Sequence, residues 1–414
     1  MKMNLNIRHY VILGLFIAAL VNCNIANAQV IPLDKIRTAS GTSEPRDDTD
    51  KLQRFIDKGR IGFLDKNGEV VIPAKYDYAW WFEEGLAGVK LNGEYGFIDK
   101  TGKEIIPLKY DDVNSFREGL ARVTLNGKDG FIDKTGKEIT PLKYDETDDF
   151  SEGSASVKLN GKWGFIDKAG KEIIPLKYDV VYSFGNGLAL VTLDGKCGFI
   201  YKTGKELSPL KYDDAYSFRE GLAGVKLNDK CGFINKTGKE IIPLKYDYAV
   251  SFNEGLTRVE LNGKWGFIDK TGKEIIPLKY NYANDFREGL ASVKLNDKYG
   301  FINKTGKETI PLKYDDASSF HEDLARVELD GKCGFIDKTG KEIIPLKYDG
   351  AWFFEEGLIS VKLNDKWGFI DKTGKEIVPL KYDDTGFFHE GLSYVKLNGK
   401  SGYVDKRGNE AWDK

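Results

Sequence analysis

Histidine, methionine and cysteine are scarce, with three, two and four residues in a chain of 414. Such a chain has little material for a metal centre, and no C-x-x-C spacing occurs in it. Neither sign of charge is in excess. The 62 Lys and Arg face 64 Asp and Glu, so binding of nucleic acid through bulk charge is not expected. Long apolar runs are missing too. The most apolar stretch, Tyr10 to Val21, has twelve residues, whereas a helix that spans a bilayer needs roughly 20. What the chain does have is glycine and aromatics. Its 46 glycines lack the three-residue period of collagen and sit badly in a long helical bundle. The 24 Phe, 21 Tyr and 7 Trp are too much aromatic surface for a disordered chain.

Residues 1–28 read as a secretory signal. Lys2 and Arg8 precede the apolar run, and Ala26-Asn27-Ala28 supplies small residues at the spacing a signal peptidase reads, with cleavage expected after Ala28. An alternative is lipidation at Cys23, although Asn22 stands where a small residue is wanted. Residues 29–54 form a polar leader, and the rest of the chain, 55–414, is a repeat array. The expected address is export: periplasmic, outer-surface or secreted, or anchored as a lipoprotein through Cys23.

Proline recurs every 34 residues from Pro73 to Pro379, with tyrosine three positions later from Tyr76 to Tyr382. The glycine of a Gly-aromatic step recurs from Gly62 to Gly402 with no insertion or deletion. Helical arrays can share this period, but the content of the unit is β. Val259 and Leu261 alternate with charged residues, Asn262-Gly263 is a tight-hairpin signal, and Trp265-Gly266-Phe267-Ile268 is a second strand. Asp269-Lys270-Thr271-Gly272 is a turn, and Glu274-Ile275-Ile276 is a third strand that Pro277 ends or confines to an edge. A recurring glycine inside the second strand points to a bulge or a close backbone approach. The expectation is an all-β tandem array of about ten three-stranded antiparallel meanders, forming an open superhelix or solenoid. A closed, propeller-like toroid is the alternative, set second because propellers typically close with four to eight four-stranded blades.

The unit resembles the WG repeat family of bacterial proteins. Lys162-Trp163-Gly164-Phe165-Ile166-Asp167-Lys168 and Lys264-Trp265-Gly266-Phe267-Ile268-Asp269-Lys270 carry the resemblance, which extends over about residues 55–414. It implies a repeat array, exported in many members, with no common catalytic activity. Trp163, Trp265 and Trp367 keep the signature tryptophan, while Tyr95, Tyr299, Ile61, Asp129 and Ser401 replace it elsewhere.

Cys197, Cys231 and Cys333 all occupy that tryptophan position, so they read as packing substitutions and free buried thiols. His321 and His389 fall in a variable turn slot that elsewhere holds Arg117, Ser151 or Asn253. No catalytic set, metal site or cofactor is expected. The recurring Lys270, Lys273, Lys279, Glu274 and Asp269 suggest ladders of both signs on a solvated surface. Arg258 with Glu260, and Arg326 with Glu328, suggest same-face pairs on an exposed strand.

The repeats disagree after Tyr-Asp. There Trp80, Trp81, Tyr182, Tyr216 and Trp352 are the candidate ligand-binding residues. The expected function is a non-catalytic exported scaffold, monomeric, that binds another protein or a cell-envelope component. Glycan or peptidoglycan binding through the repeat aromatics is the alternative.

Overall fold

The computed structural model describes residues 52–412 except 66 and 390. The expected signal, its cleavage point after Ala28, Cys23 and nearly all of the leader lie outside the described residues.

Each repeat folds as its local chemistry dictates. Asn262 and Gly263 both adopt positive φ, 52° and 71°, which matches the twist of the strands they join. The Asp269 carboxylate accepts hydrogen bonds from Thr271 N, Thr271 Oγ1 and Lys273 N, fixing the next turn. The outer strand Glu274–Tyr280 runs through Pro277, which is tolerated on an unpaired edge.

The first sheet comprises β1 (Gln53–Asp57), β2 (Arg60–Leu64) and β3 (Val70–Tyr76). The second comprises β4 (Tyr78–Ala79), β5 (Leu86–Leu91), β6 (Glu94–Asp99) and β7 (Glu104–Tyr110), hydrogen-bonded in that order. The same plan continues to Glu410–Trp412. There are eleven sheets, nine of four strands and two of three. The expected three-stranded unit is therefore corrected. The segment after Tyr-Asp holds a short fourth strand, as where Tyr282 pairs with Lys294 and Ala283 with Val293.

The extra strand makes nine of the units complete four-stranded blades. The sheets pack side by side, and the array closes into an eleven-bladed β-propeller rather than the open superhelix. The join lies between blade 1 and blade 11. β1 packs against Lys400–Asp405 and Glu410–Trp412, and Ile56 shares a core cluster with Leu392. Among the described residues no strand is exchanged at the join, because every sheet is built from consecutive strands.

The cores lie between blades. One cluster joins Trp265, Phe267, Ile276 and Tyr280 of blade 7 to Ala283, Phe286, Val293 and Ile302 of blade 8. The Phe267 and Phe286 rings meet with centroids 4.7 Å apart, and the same contact recurs from Phe63–Phe82 to Phe369–Phe388. Burying a side chain of this size contributes roughly 1.5–3 kcal/mol, so every interface draws on several such residues.

The recurring strand glycine has a steric cause. A Cβ on Gly266 would lie 2.5 Å from the Ile276 carbonyl oxygen and 2.8 Å from Leu278 N. Opposite it the outer strand is bulged. Trp265 pairs with Tyr280 and Phe267 with Ile276, so three residues face one glycine.

Charged rungs link the blades on both faces. On one face the Glu84 carboxylate accepts from Gly119 N and pairs with Lys134, both in the next blade. The pattern recurs at Glu118, Glu152, Glu220 and Glu254, so that Lys270 pairs with Glu220, not with its neighbours Asp269 and Glu274. These glutamates sit at positive φ, 51° at Glu84, a conformation costly for a residue with a Cβ. The cross-blade bonds offset that cost. On the opposite face Asp145 accepts from Lys128 of the preceding blade at 2.7 Å.

Candidate functional site

The site begins with the two residues that follow the short inner strand in blades 2 to 9 and lie within the longer inner strand of blades 10 and 11. The first of them faces the strand beside it. Trp80 lies over Gly88, where a Cβ would come within 2.7 Å of its ring, and Tyr216 lies over Gly224 at 3.1 Å. In blade 11 the sizes are reversed, with Gly386 against Tyr394. Much of the variation at this position is thus volume exchange inside an interface. Tyr182 likewise packs against the cluster of Leu190, Cys197 and Phe199. Burial pushes the Tyr216 hydroxyl pKa up. Tyr182 and Tyr216 stand in blades 5 and 6, remote in the repeat order from the three tryptophans.

The paired arginine positions belong to the same interface. Arg326 does reach Glu328, at 2.8 Å. The Arg258–Glu260 pair is corrected: Arg258 is buried, donates to the Ala283 carbonyl at 2.6 Å and pairs with Asp285 at 3.0 Å, both in the next blade. Its guanidinium also lies 5.3 Å from the Trp265 ring centroid. Burial opposes the charge on Arg258, but Asp285 and the neighbouring Tyr282 outweigh it and hold the pKa up.

The second position behaves differently. In seven successive blades it is polar: Ser115, Asp149, Ser183, Ser217, Ser251, Asp285 and Ser319. In the other blades that carry it, 2, 10 and 11, it is Trp81, Phe353 and Phe387. Closure makes these blades an arc on either side of the join, with blade 1 between. Phe353 and Phe387 are 36% and 41% exposed, among the few large apolar side chains left to solvent. Trp352 stacks on Trp367 with centroids 6.0 Å apart and meets Phe387 edge-on at 5.8 Å. Across the join, Trp81 meets His389 edge-on at 5.0 Å, and within blade 2 it meets Trp80 at 5.7 Å. Arg54 lies 5.9 Å from the Trp81 ring and donates to both the Ala79 and His389 carbonyls, at 2.9 and 2.8 Å. Burial first, and Arg54 second, push the His389 pKa below its usual value.

Of the five candidate residues, the structure gathers Trp80, Trp81 and Trp352 on this arc and leaves Tyr182 and Tyr216 apart. Phe353, Phe387 and His389, which share the arc, were not among the five. The signal was present in the second position read across all repeats, but the repeat order alone puts blades 2 and 11 at opposite ends.

Cys197, Cys231 and Cys333 are free and buried, as expected, and burial pushes the Cys197 thiol up to about 12. Among the described residues no group of three or more His, Cys, Asp or Glu is placed to hold a metal. No helix there is long and apolar enough to cross a membrane.

No curated protein matches the chain. Among solved structures, a crystal structure described as the eukaryotic initiation factor is 10% identical, with a TM-score of 0.42 over 87% of this chain and 94% of that one. PorZ, a surface component of the type-IX secretion system of Porphyromonas gingivalis, is 9% identical, with a TM-score of 0.26 over 82% of this chain and 59% of that one. The extracellular domain of the putative one-component system BT4673 from B. thetaiotaomicron is 11% identical, with a TM-score of 0.28 over 86% of this chain and 64% of that one. Likeness at this level carries no functional weight. The family model for the WG containing repeat, by contrast, matches ten consecutive segments from 61–95 to 367–400. The chain therefore belongs to the WG containing repeat family.

Proposed function

We propose that this protein is a non-catalytic, exported scaffold that holds a protein or cell-envelope partner through the aromatic arc at its join. The observation that carries the reading is the second variable position, aromatic at Trp81, Phe353 and Phe387 and polar in the seven other blades that carry it. Aromatic side chains presented on a rigid frame are the usual anchors of an interface. The surrounding blades supply that frame through invariant packing. Export rests on the sequence of residues 1–28.

The test is photo-crosslinking from position 387 in the mature protein, incubated with its own envelope fraction. A discrete crosslinked species that disappears in a Trp81→Ser, Phe353→Ser double variant supports the reading. Binding to a glycan array that is lost in Trp80→Ala and Trp352→Ala, with no protein crosslink, would favour the glycan alternative.

A further inference from the structure

A second surface lies on the same face, in the turns of blades 6 to 9. Arg219, Asn253, Arg287 and His321 each open a tight turn in which the following Glu has positive φ, and each bonds back to a leucine, as Arg219 N does to Leu222 O at 2.9 Å. The turns therefore present these side chains rigidly, one per blade. They line an open groove of about 320 Å³ together with Glu254, Glu288 and Phe320.

The two arginines of this groove are not paired as their counterpart in blade 3 is. The equivalent Arg117 pairs with Asp149 at 3.7 Å. Serine replaces that aspartate at both corresponding places, Ser251 for Arg219 and Ser319 for Arg287. Among the described residues neither guanidinium has an ion-pair partner, and both are exposed. Most of the acids nearby are engaged with other cations. Glu254 pairs with Lys304 at 3.0 Å, Glu288 and Asp323 with Lys338 at 2.9 and 2.6 Å, and Asp285 with Arg258. Asn253 donates to the Phe286 carbonyl at 2.6 Å, which turns its amide into the groove wall.

We infer that this groove binds carboxylate side chains of an acidic peptide segment, with Arg219 and Arg287 each taking one carboxylate. A guanidinium fork matches a carboxylate, and free forks are favoured sites for it. The two arginines are separated by the Asn253 turn. Two forks on different turns suit two single charges along a chain better than one dense sulfate or phosphate, which calls for several converging cations. The inference stands apart from the seam, since blades 6 to 9 carry no aromatic residue at the second variable position.

The test is fluorescence anisotropy of a labelled short peptide of alternating Glu and Gly, with the full chain, at neutral pH and low salt. Binding is expected. It should weaken by about tenfold for Arg219→Gln or Arg287→Gln, and further for both. It should fall with salt and be absent for the Gln-Gly peptide. Arg117→Gln should not change it. Because these side chains are exposed, circular dichroism should show all variants folded. No binding, binding indifferent to both arginines, or preference for inorganic phosphate or a sulfated oligosaccharide over the peptide would overturn the inference.

Discussion

Arg54 and His389 stand 335 residues apart in the chain and are joined by a hydrogen bond of 2.8 Å from Nη2 to the backbone carbonyl. The other arm of the same guanidinium reaches Ala79 at 2.9 Å, so one side chain ties blades 11, 1 and 2 together. Arg258 makes the equivalent reach to Ala283 inside the array. The bond to Ala79 is thus the ordinary one between neighbouring blades, and the bond to His389 is added by the same side chain where the first blade meets the last.

The His389 ring at this join should make stability sensitive to mild acid. Its pKa lies below the ordinary 6.5 because of burial and the nearby Arg54 charge. The unfolded chain takes up a proton near 6.5 while the native ring does not. Its contribution is therefore complete above that pH and is lost as pH falls from 6.5 through the lower native value. The Asp269 carboxylate, held below its usual range by its bonds to Thr271, acts only at still lower pH. The drop in melting temperature between pH 7.5 and pH 5.5 should be smaller in His389→Gln than in the parent. Equal drops would remove His389 from the account.

Two glycines in one blade should respond differently to alanine. At Gly266 the new Cβ meets backbone at 2.5 Å, which cannot swing aside. At Gly263 nothing lies within 4 Å and only the positive φ of 71° opposes it. Gly266→Ala should cost about 3 kcal/mol by overpacking, and Gly263→Ala about 1 kcal/mol. Urea denaturation compares them, and an equal cost would contradict the bulge argument.

Arg258→Ala should destabilise by about 3 kcal/mol, because it strips a buried interface of its cation and leaves Asp285 without its partner. Arg258→Lys should recover little. A lysine cannot reproduce the planar contacts with Trp265 and the bond to Ala283 together. Thermal melts of the two variants check this, and full recovery by lysine would show that charge alone matters.

Blade 5 should open first. Its outer segment keeps only the isolated bridges Cys197–Tyr212 and Ile200–Glu206, and the Ser208 hydroxyl is buried with no partner among the described residues. Asn186 replaces the rung glutamate there, and a cavity of about 70 Å³ lies beside it, lined by Ser183, Leu188 and Phe218. Amide exchange should be faster in 205–212 than in the matching 273–280 of blade 7. Equal protection would refute a weak fifth blade.

The β content, the 34-residue unit, the strand glycine and the buried thiols were legible because each is a local demand repeated many times. Pro277, Asn262-Gly263 and Gly266 announce themselves in every copy. The fourth strand was not legible. Tyr282-Ala283 is two residues long, too short to show alternation, and it exists only by pairing with Val293 and Lys294. Closure was set second for the same reason: with three strands counted, the units lay outside the usual range of blades. The aromatic arc depended on closure. Phe387 and Trp81 become members of one surface only when the first and last blades meet. At the variable first position packing is mixed into the signal, since Trp80 lies over Gly88 and Gly386 against Tyr394.

The measurement that tests closure most directly is a spin-label distance between Gln53, on the first blade, and Lys406, on the last, in a background without the native cysteines. The closed ring predicts one short, narrow distribution that persists on dilution. A broad distribution at long range, as an open superhelix of the same blades would give, would contradict it.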